Sequence, residues 1–231
     1  MGIGVFIPAH NEARSLQRSL AALAEQDFEG PVELVVAANG CSDETAAVAR
    51  AGARTLPENW RVTVVETPVA AKWAALNAAE TAVGAETRIY LDADVLLSPN
   101  AIRTIAAALD TDEPRLVQPR IEVGPLERYG GVVRSFIRIW SSLPYVRSEV
   151  LGVGCYAVNV SGRSRWGEFP PLGADDTFVR LRFDRSQKRV MRDATMTIFL
   201  PRSPGELVRV RARWCRLGRE VRRREKGLPE T

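Results

Sequence analysis

Arg88-Ile89-Tyr90-Leu91-Asp92-Ala93-Asp94 is the stretch whose reading decides the fold. The apolar residues Ile89, Tyr90 and Leu91 read as a short buried strand. That strand runs directly into two carboxylates two positions apart. At the end of a buried strand, such a pair is repulsive and costly unless a cation joins it. Hard carboxylate oxygens suit Mg2+ or Mn2+, which take few protein ligands and complete their shells with phosphate oxygens and water. Taken alone, Asp-x-Asp is also an ordinary polar turn or helix cap; its position after a fourth strand favours the metal reading.

The residues upstream supply the other three strands. Gly4-Val5-Phe6-Ile7 is an apolar run stopped by Pro8, and Leu16, Leu20 and Leu23 recur at helical spacing between Ala13 and Ala24. Val32 to Ala38 reads as a second strand ending at the turn dipeptide Asn39-Gly40. Ser42-Asp43-Glu44-Thr45 offers cap residues for a helix from Ala46 to Ala53. Val62 to Val65 is a third strand, and Ala70 to Ala82 an Ala-rich helix. The first hundred residues therefore alternate strand and helix, with connections short enough for a parallel sheet covered by helices. Ligands of open sheets bind outside the carboxyl ends of the strands. Pro8 to Glu12, Asn39 to Asp43 and Asp92 to Asp94 are expected to converge there.

The second half is less regular. The pattern predicts a helix over Asn100 to Leu109 and strands over Leu116 to Gln118, Gly152 to Val160 and Thr195 to Leu200, with a helix over Asp175 to Phe183. Tyr129 to Val146 is amphipathic, with Phe136, Ile137, Ile139 and Trp140 beside Arg134 and Arg138. It suits either a helix packed on the sheet or one resting on a membrane surface.

Composition sets the outer limits. A chain of 231 residues, 45% hydrophobic and 26% charged, suits one α/β domain. No apolar run approaches the roughly 20 residues that span a bilayer, and no signal peptide is expected at the N-terminus. Cys41, Cys155 and Cys215 are too scattered for a disulfide framework or thiolate metal site, which points to a reducing cytoplasm. His10 is the only histidine, so a multi-His metal cluster is excluded. Net charge is +4, but nine basic residues (Arg209, Arg211, Arg213, Arg216, Arg219, Arg222, Arg223, Arg224, Lys226) face only Glu206, Glu220 and Glu225 near the C-terminus. Such an end attracts phosphate or forms a solvated helix face.

Several motifs occur together in order. Ile7-Pro8-Ala9-His10-Asn11-Glu12, Ala38-Asn39-Gly40-Cys41-Ser42-Asp43-Glu44-Thr45, Lys72 with Ala75-Leu76-Asn77, and Leu91-Asp92-Ala93-Asp94 resemble family 2 glycosyltransferases of the GT-A fold. Gly173-Ala174-Asp175-Asp176, followed by Arg180 and Arg182, is similar to that family's downstream acidic acceptor motif. The resemblance covers roughly residues 4–183 and implies an α/β, GT-A-type, mostly parallel sheet flanked by helices, Rossmann-like in its N-terminal half. It further implies one glycosyltransferase domain over 1–204, divided into a nucleotide-binding half (1–100) and an acceptor half (101–204). Residues 205–231 would form a basic C-terminal helical tail.

By the same resemblance, Pro8, His10 and Glu12 border the nucleoside, with Asn39 beside them, and Lys72 and Asp92 lie at the nucleotide. Asp94, with Asp92, binds Mn2+ or Mg2+; Asp176, or else Asp175, is the general base. The implied reaction is inverting transfer from a nucleotide-sugar donor to a hydroxyl acceptor of unknown kind (small molecule, glycan or lipid-linked). Ala38 stands where the family often has a base-contacting Asp, which leaves UDP favoured and GDP open. Val210-Arg211-Ala212-Arg213-Trp214 keeps the Arg-Trp of the processive members' motif and lacks its Gln. Arg213 is therefore a candidate to close over the diphosphate, and Trp214 for this or for packing. A catalytically silent nucleotide-sugar-binding protein and a sugar-phosphate nucleotidyltransferase are the alternatives. No nucleic-acid partner is expected. The expected location is cytoplasmic, with peripheral contact at the inner membrane face left open.

Overall fold

The computed structural model describes residues 2–225; Lys226, the last of the basic run, lies outside them, as does the rest of the expected tail. β1 (Ile3–Ala9), α1 (Ala13–Ala24), β2 (Val32–Asn39), α2 (Thr45–Gly52), β3 (Trp60–Thr67), α3 (Lys72–Ala82) and β4 (Thr87–Leu91) follow one another as the sequence pattern predicts. Then come β5 (Leu96–Leu97), α4 (Ala101–Leu109), β6 (Leu116–Val123), α5 (Gly131–Ser142) and α6 (Pro144–Ser148). β7 (Cys155–Val158), α7 (Val160–Arg163), α8 (Asp175–Arg180), β8 (Lys188–Ile198) and α9 (Pro204–Arg224) complete the chain.

All eight strands form one sheet in the order β3-β2-β1-β4-β7-β6-β8-β5. β3, β2, β1 and β4 are mutually parallel, so their carboxyl ends lie along one edge of the molecule. β7 is antiparallel to both β4 and β6, β6 is parallel to β8, and β5 is antiparallel to β8. The mixed half starts where β7 docks beside β4.

Strand periodicity divides the core into two. Ile3, Val5 and Ile7 of β1, Leu34 and Val36 of β2, and Ile89 and Leu91 of β4 pack on one face with Leu16, Leu20 and Leu23 of α1 and with α4 and α5. Phe6, Val35, Ala37 and Tyr90 point the other way, onto Ala75, Leu76 and Ala79 of α3 and Phe178 and Val179 of α8. Side chains that alternate along a strand enforce this division. The stretch from Tyr129 to Val146 becomes α5 and α6, and α5 buries Val133, Ile137 and Trp140 against the first face.

Several expected elements differ in extent: β3 runs from Trp60 to Thr67, α8 stops at Arg180, and three further cases have a visible cause. β6 runs on past Gln118 through Pro119, because a register shift between Pro119 and Arg120 accommodates a residue without an N–H. β8 begins at Lys188; Arg189, Arg192 and Asp193 are exposed while Met191, Ala194 and Met196 are buried, and the charged positions hide the strand in the sequence. The strand expected over Gly152 to Val160 shrinks to Cys155–Val158. Gly152 and Gly154 both have φ of +78, outside the strand region, and Asn159 turns to cap α7 by accepting from the Gly162 N–H.

One buried ionic cluster ties α3 to the sheet. Glu80, only 8% exposed, accepts hydrogen bonds from Arg88 (2.9 Å), from Arg163 (2.6 and 2.8 Å) and from the Tyr90 hydroxyl. Burial opposes its charge, but the Arg163 and Tyr90 hydrogen bonds, with the charges of Arg163 and Arg88, hold its pKa below the ordinary glutamate value. A depressed carboxylate contributes stability at neutral pH that is lost as pH falls through its folded-state pKa. Removing it leaves two partly buried guanidinium groups without their counter-ion. Glu80→Ala is expected to lower unfolding free energy by ~3–5 kcal/mol in urea denaturation at pH 7, with a smaller loss in acid. Arg50→Ala, which breaks an exposed pair with Glu66, should be close to neutral.

Candidate active site

The loops at the ends of β1, β2 and β3 are strapped to one another. Asn11, at φ +54, accepts the Ser42 N–H at 2.8 Å through its side-chain oxygen. Glu12 N–H donates to the Thr45 hydroxyl (2.9 Å) and Ala13 N–H to Asp43 (3.2 Å). Asp43 thus bridges two loops and also accepts the N–H of Thr45, the first residue of α2, at 3.0 Å, although the N-cap position itself is Glu44, which makes no side-chain bond. Gly40 donates to the Thr67 carbonyl (2.7 Å) and lies against Ala70, where a Cβ would fall 2.7 Å from the Ala70 Cβ. Asn39 is buried; oriented with its NH2 toward the Ala9 carbonyl (2.8 Å), its oxygen meets the Ala71 N–H (3.2 Å). Its own carbonyl lies 2.6 Å from Nδ1 of the exposed His10. Asn39 therefore holds three loops together from beneath, with its amide turned inward.

At the centre stands Lys72, the first residue of α3. Its ammonium contacts Asp92 at 2.7 Å and Asp175 at 2.9 Å. Burial opposes the charge, but the carboxylates of Asp175 and Asp92 outweigh it and raise the lysine pKa above its usual value. Asp92 leaves the end of β4, where its N–H donates to the Gly154 carbonyl (2.8 Å). Asp175 opens α8, on the far side of the sheet's topological break. One lysine therefore joins the two halves of the chain.

Asp175 and Asp176 differ sharply. Asp175 is buried, with one oxygen on Lys72 and the other accepting from the Tyr156 hydroxyl at 2.9 Å. Asp176 is half-buried, and one of its oxygens accepts the Thr177 N–H at 2.6 Å. Its second oxygen has no partner among the described residues. Burial, and next the neighbouring Asp175, push the Asp176 carboxyl up to about 6, against the pull of Lys72. Neither aspartate is the N-cap of α8, which is Ala174.

Asp92, Lys72, Asp175 and Asp176 line one cavity of about 670 Å³. Helix α9 forms its opposite wall with Arg211, Arg213, Trp214 and Arg222. Only Leu207 and Val221 of α9 are fully buried, yet Val221 joins the core beside α8. Pro8 lines a small recess behind Lys72 and Asp92. Asp94 and Glu12 stand next to the large cavity without lining it. Asp94 reaches solvent, but the surrounding protein displaces much of the water at its carboxyl. This desolvation, then the charges of Asp92 and Glu12, push it up to about 6. Among the described residues no cluster of three or more His, Cys, Asp or Glu is placed to hold a metal ion. No described helix is long and apolar enough to cross a membrane.

Sequence reasoning missed Gly152 and Tyr156. A Cβ on Gly152 would sit 2.6 Å from the Asp176 Cβ, and its N–H donates to the buried Gln118 at 2.6 Å. The Gly-x-Gly spacing at 152–154 was the available signal, and its reading as part of a strand concealed it.

The family model for Glycosyl transferase family 2 matches residues 4–162. The chain belongs to this glycosyltransferase family. A search of curated proteins gives no match. Among solved structures, a mannosyltransferase from Pyrobaculum calidifontis in complex with GDP-Man and Mn2+ is similar, at 23% identity and TM-score 0.71, over 98% of this chain and 65% of that one. Glucosyl-3-phosphoglycerate synthase from Mycobacterium tuberculosis, in complex with Mn2+, UDP and glucosyl-3-phosphoglycerate, is similar at 17% identity and TM-score 0.67, over 100% and 81%. S. aureus TarS 1-349 in complex with UDP is similar at 18% identity and TM-score 0.63, over 91% and 63%. The chain spans 38% of the longer TarS chain. At these identities the likeness establishes the GT-A-like fold.

Gly152→Ala would force a side chain into a left-handed backbone and against Asp176, at a cost of ~1–3 kcal/mol. We expect a lower melting temperature and displacement of α8 in a crystal structure of the variant. An unchanged Asp176 position at full stability would contradict the tight packing described for it.

Proposed function

We propose that this family 2 glycosyltransferase moves a sugar from a nucleoside diphosphate-sugar onto an acceptor hydroxyl with inversion at the anomeric carbon. The Lys72 bridge carries this reading. It sets Asp92, from the nucleotide-binding half, beside Asp175 and Asp176 of the acceptor half in one cavity. In-line displacement needs leaving-group stabilisation on one side of the reacting carbon and a base on the other, and carboxylates from two distant segments meet that need. UDP is the favoured nucleotide and GDP the second candidate. Similar structures described with UDP and with GDP-Man support the class without choosing between them.

Each side chain then has a task. Lys72 and Arg213 offset diphosphate charge, while Pro8, His10 and Glu12 border the nucleoside and Asn39 shapes the loops that carry them. Asp176, with an oxygen free, accepts the proton as the acceptor oxygen bonds to the anomeric carbon. The bond from that carbon to the diphosphate breaks, and its electron pair leaves on phosphate oxygen. Asp175, with both oxygens engaged, positions Lys72. Asp94 and Asp92 would hold Mn2+ or Mg2+. Two carboxylates, one of them already raised by crowding, fit an ion that relies on substrate phosphates for its remaining ligands. When bound, that ion supplies Lewis-acid neutralisation of the diphosphate. The two similar structures described with Mn2+ support this.

Two measurements test the reading. UDP, or else GDP, should raise the melting temperature in Mn2+ or Mg2+ and lose that effect in chelator; equal stabilisation in chelator counts against Asp94 as a metal ligand. Asp176→Asn should keep nucleotide affinity and lose ~10²–10⁴-fold in transfer. In the wild type, transfer should fall as pH drops below about 6, because the base is active only when ionised. Undiminished transfer by the variant would place the base elsewhere.

A further inference from the structure

Arg180, Arg211, Arg213 and Arg222 all line the cavity, and none forms an ion pair among the described residues. Elsewhere, the partly buried Arg163 and Arg182 are paired with Glu80 and Glu225, while Arg134 and Arg165, also partly buried, donate to backbone carbonyls. Arg180 is the most unusual of the four. Its Nε is buried without a hydrogen-bond partner, and a buried donor lacking an acceptor is costly. It follows Asp176 by four residues on α8, so the two side chains share a face one turn apart. Arg222 lines the same cavity from α9. Burial, together with the like charge of Arg222, lowers the Arg180 pKa against the opposing pull of Asp176 and Glu149. Two guanidinium groups facing one space are stable together when an oxyanion lies between them, and a phosphate can take both.

We propose that Arg180 and Arg222 form an anion subsite for the acceptor, so that the hydroxyl presented to Asp176 belongs to a phosphorylated molecule. This rests on the glycosyltransferase reading, in which Asp176 takes the acceptor's proton. The leaving diphosphate is assigned to the Lys72 and Asp92 end of the cavity. Arg180 lies on the side of the base, one helical turn from it. The phosphate comes from either a soluble phosphate ester or a lipid headgroup, since both offer the same group to the two arginines.

The test uses the full chain saturated with Mn2+ and the nucleoside diphosphate that binds. Glycerol 3-phosphate, glycerol, and phosphatidylcholine vesicles with or without phosphatidic acid are then titrated in. We expect glycerol 3-phosphate or phosphatidate vesicles to bind where glycerol and plain vesicles do not; the arm that binds identifies a soluble or a lipid-borne acceptor. Arg180→Gln and Arg222→Gln should each weaken that binding by ~10-fold or more and leave nucleoside diphosphate affinity within about twofold. Arg222 is exposed, so its variant decides the matter should Arg180→Gln fail to fold. Arg209→Gln, at an exposed α9 position outside the cavity, should change neither binding. The proposal is overturned if the phosphate probe displaces the nucleoside diphosphate, if the variants weaken both equally, or if neither probe shows arginine-dependent binding. Failure of the wild type to bind any nucleoside diphosphate is a separate result: it sinks the parent reading, and with it the subsite's role as an acceptor site.

Discussion

Lys72 carries one positive charge into a space bordered by Asp92, Asp175 and Asp176, and the rest of the site is arranged around that imbalance. Without the ammonium, Asp92 and the buried Asp175 would lose their shared counter-ion. With it, one negative charge is tied to the end of β4 and another to the start of α8, although the two lie more than eighty residues apart in the chain. The lysine is itself placed by α3, which Glu80 anchors to β4 and α7 through Arg88, Tyr90 and Arg163. Asn77, in the middle of the same helix, exchanges two hydrogen bonds with the backbone of Phe169. The helix that holds the bridging charge is thus fixed both to β4 and to segments from the second half of the chain.

The division of labour between the paired aspartates follows from that bridge. Tyr156 and Lys72 occupy both oxygens of Asp175, while Asp176 keeps an oxygen toward the cavity and has its pKa raised by burial and, next, by its neighbour. The same proximity that makes one carboxylate a positioning group makes the other a better proton acceptor near neutral pH. Helix α9 adds the opposite charge on the facing wall. Its arginines are the counterweight to the acidic floor, which gives the basic C-terminal run a place in the cavity as well as a solvated face.

Much of this was legible in the chain, and the physical reasons for the rest are specific. β1, β2 and β4 are buried on both faces, so they read as unbroken apolar runs, and the parallel half followed from them. β8 was shortened because Lys188, Arg189, Arg192 and Asp193 break up the apolar positions of its first half. β6 was shortened because Pro119 is a strand breaker unless the register slips around it. At the site, sequence order directed the acidic segments to one cleft, and the family resemblance put Asp176 ahead of Asp175; the physical difference between them was not legible, since it lies in a tyrosine from β7 and a lysine from α3. Nor could it show that Asn39 turns its amide inward or that Asp94 stands outside the main cavity beside Glu12. Those facts come from loop contacts over thirty residues apart, which no local pattern encodes.

The coupling between Lys72 and Asp175 tests the central claim most directly. Nucleoside diphosphate affinity in Mn2+, measured by calorimetry for the wild type, Lys72→Met, Asp175→Asn and the double variant, gives that coupling as a double-mutant cycle. We expect Asp175→Asn to weaken binding only while Lys72 is present, with a coupling energy in the range of ~0.5–3 kcal/mol. Strict additivity of the two substitutions, or full affinity in Lys72→Met, would show that the bridge between the halves does not organise the site.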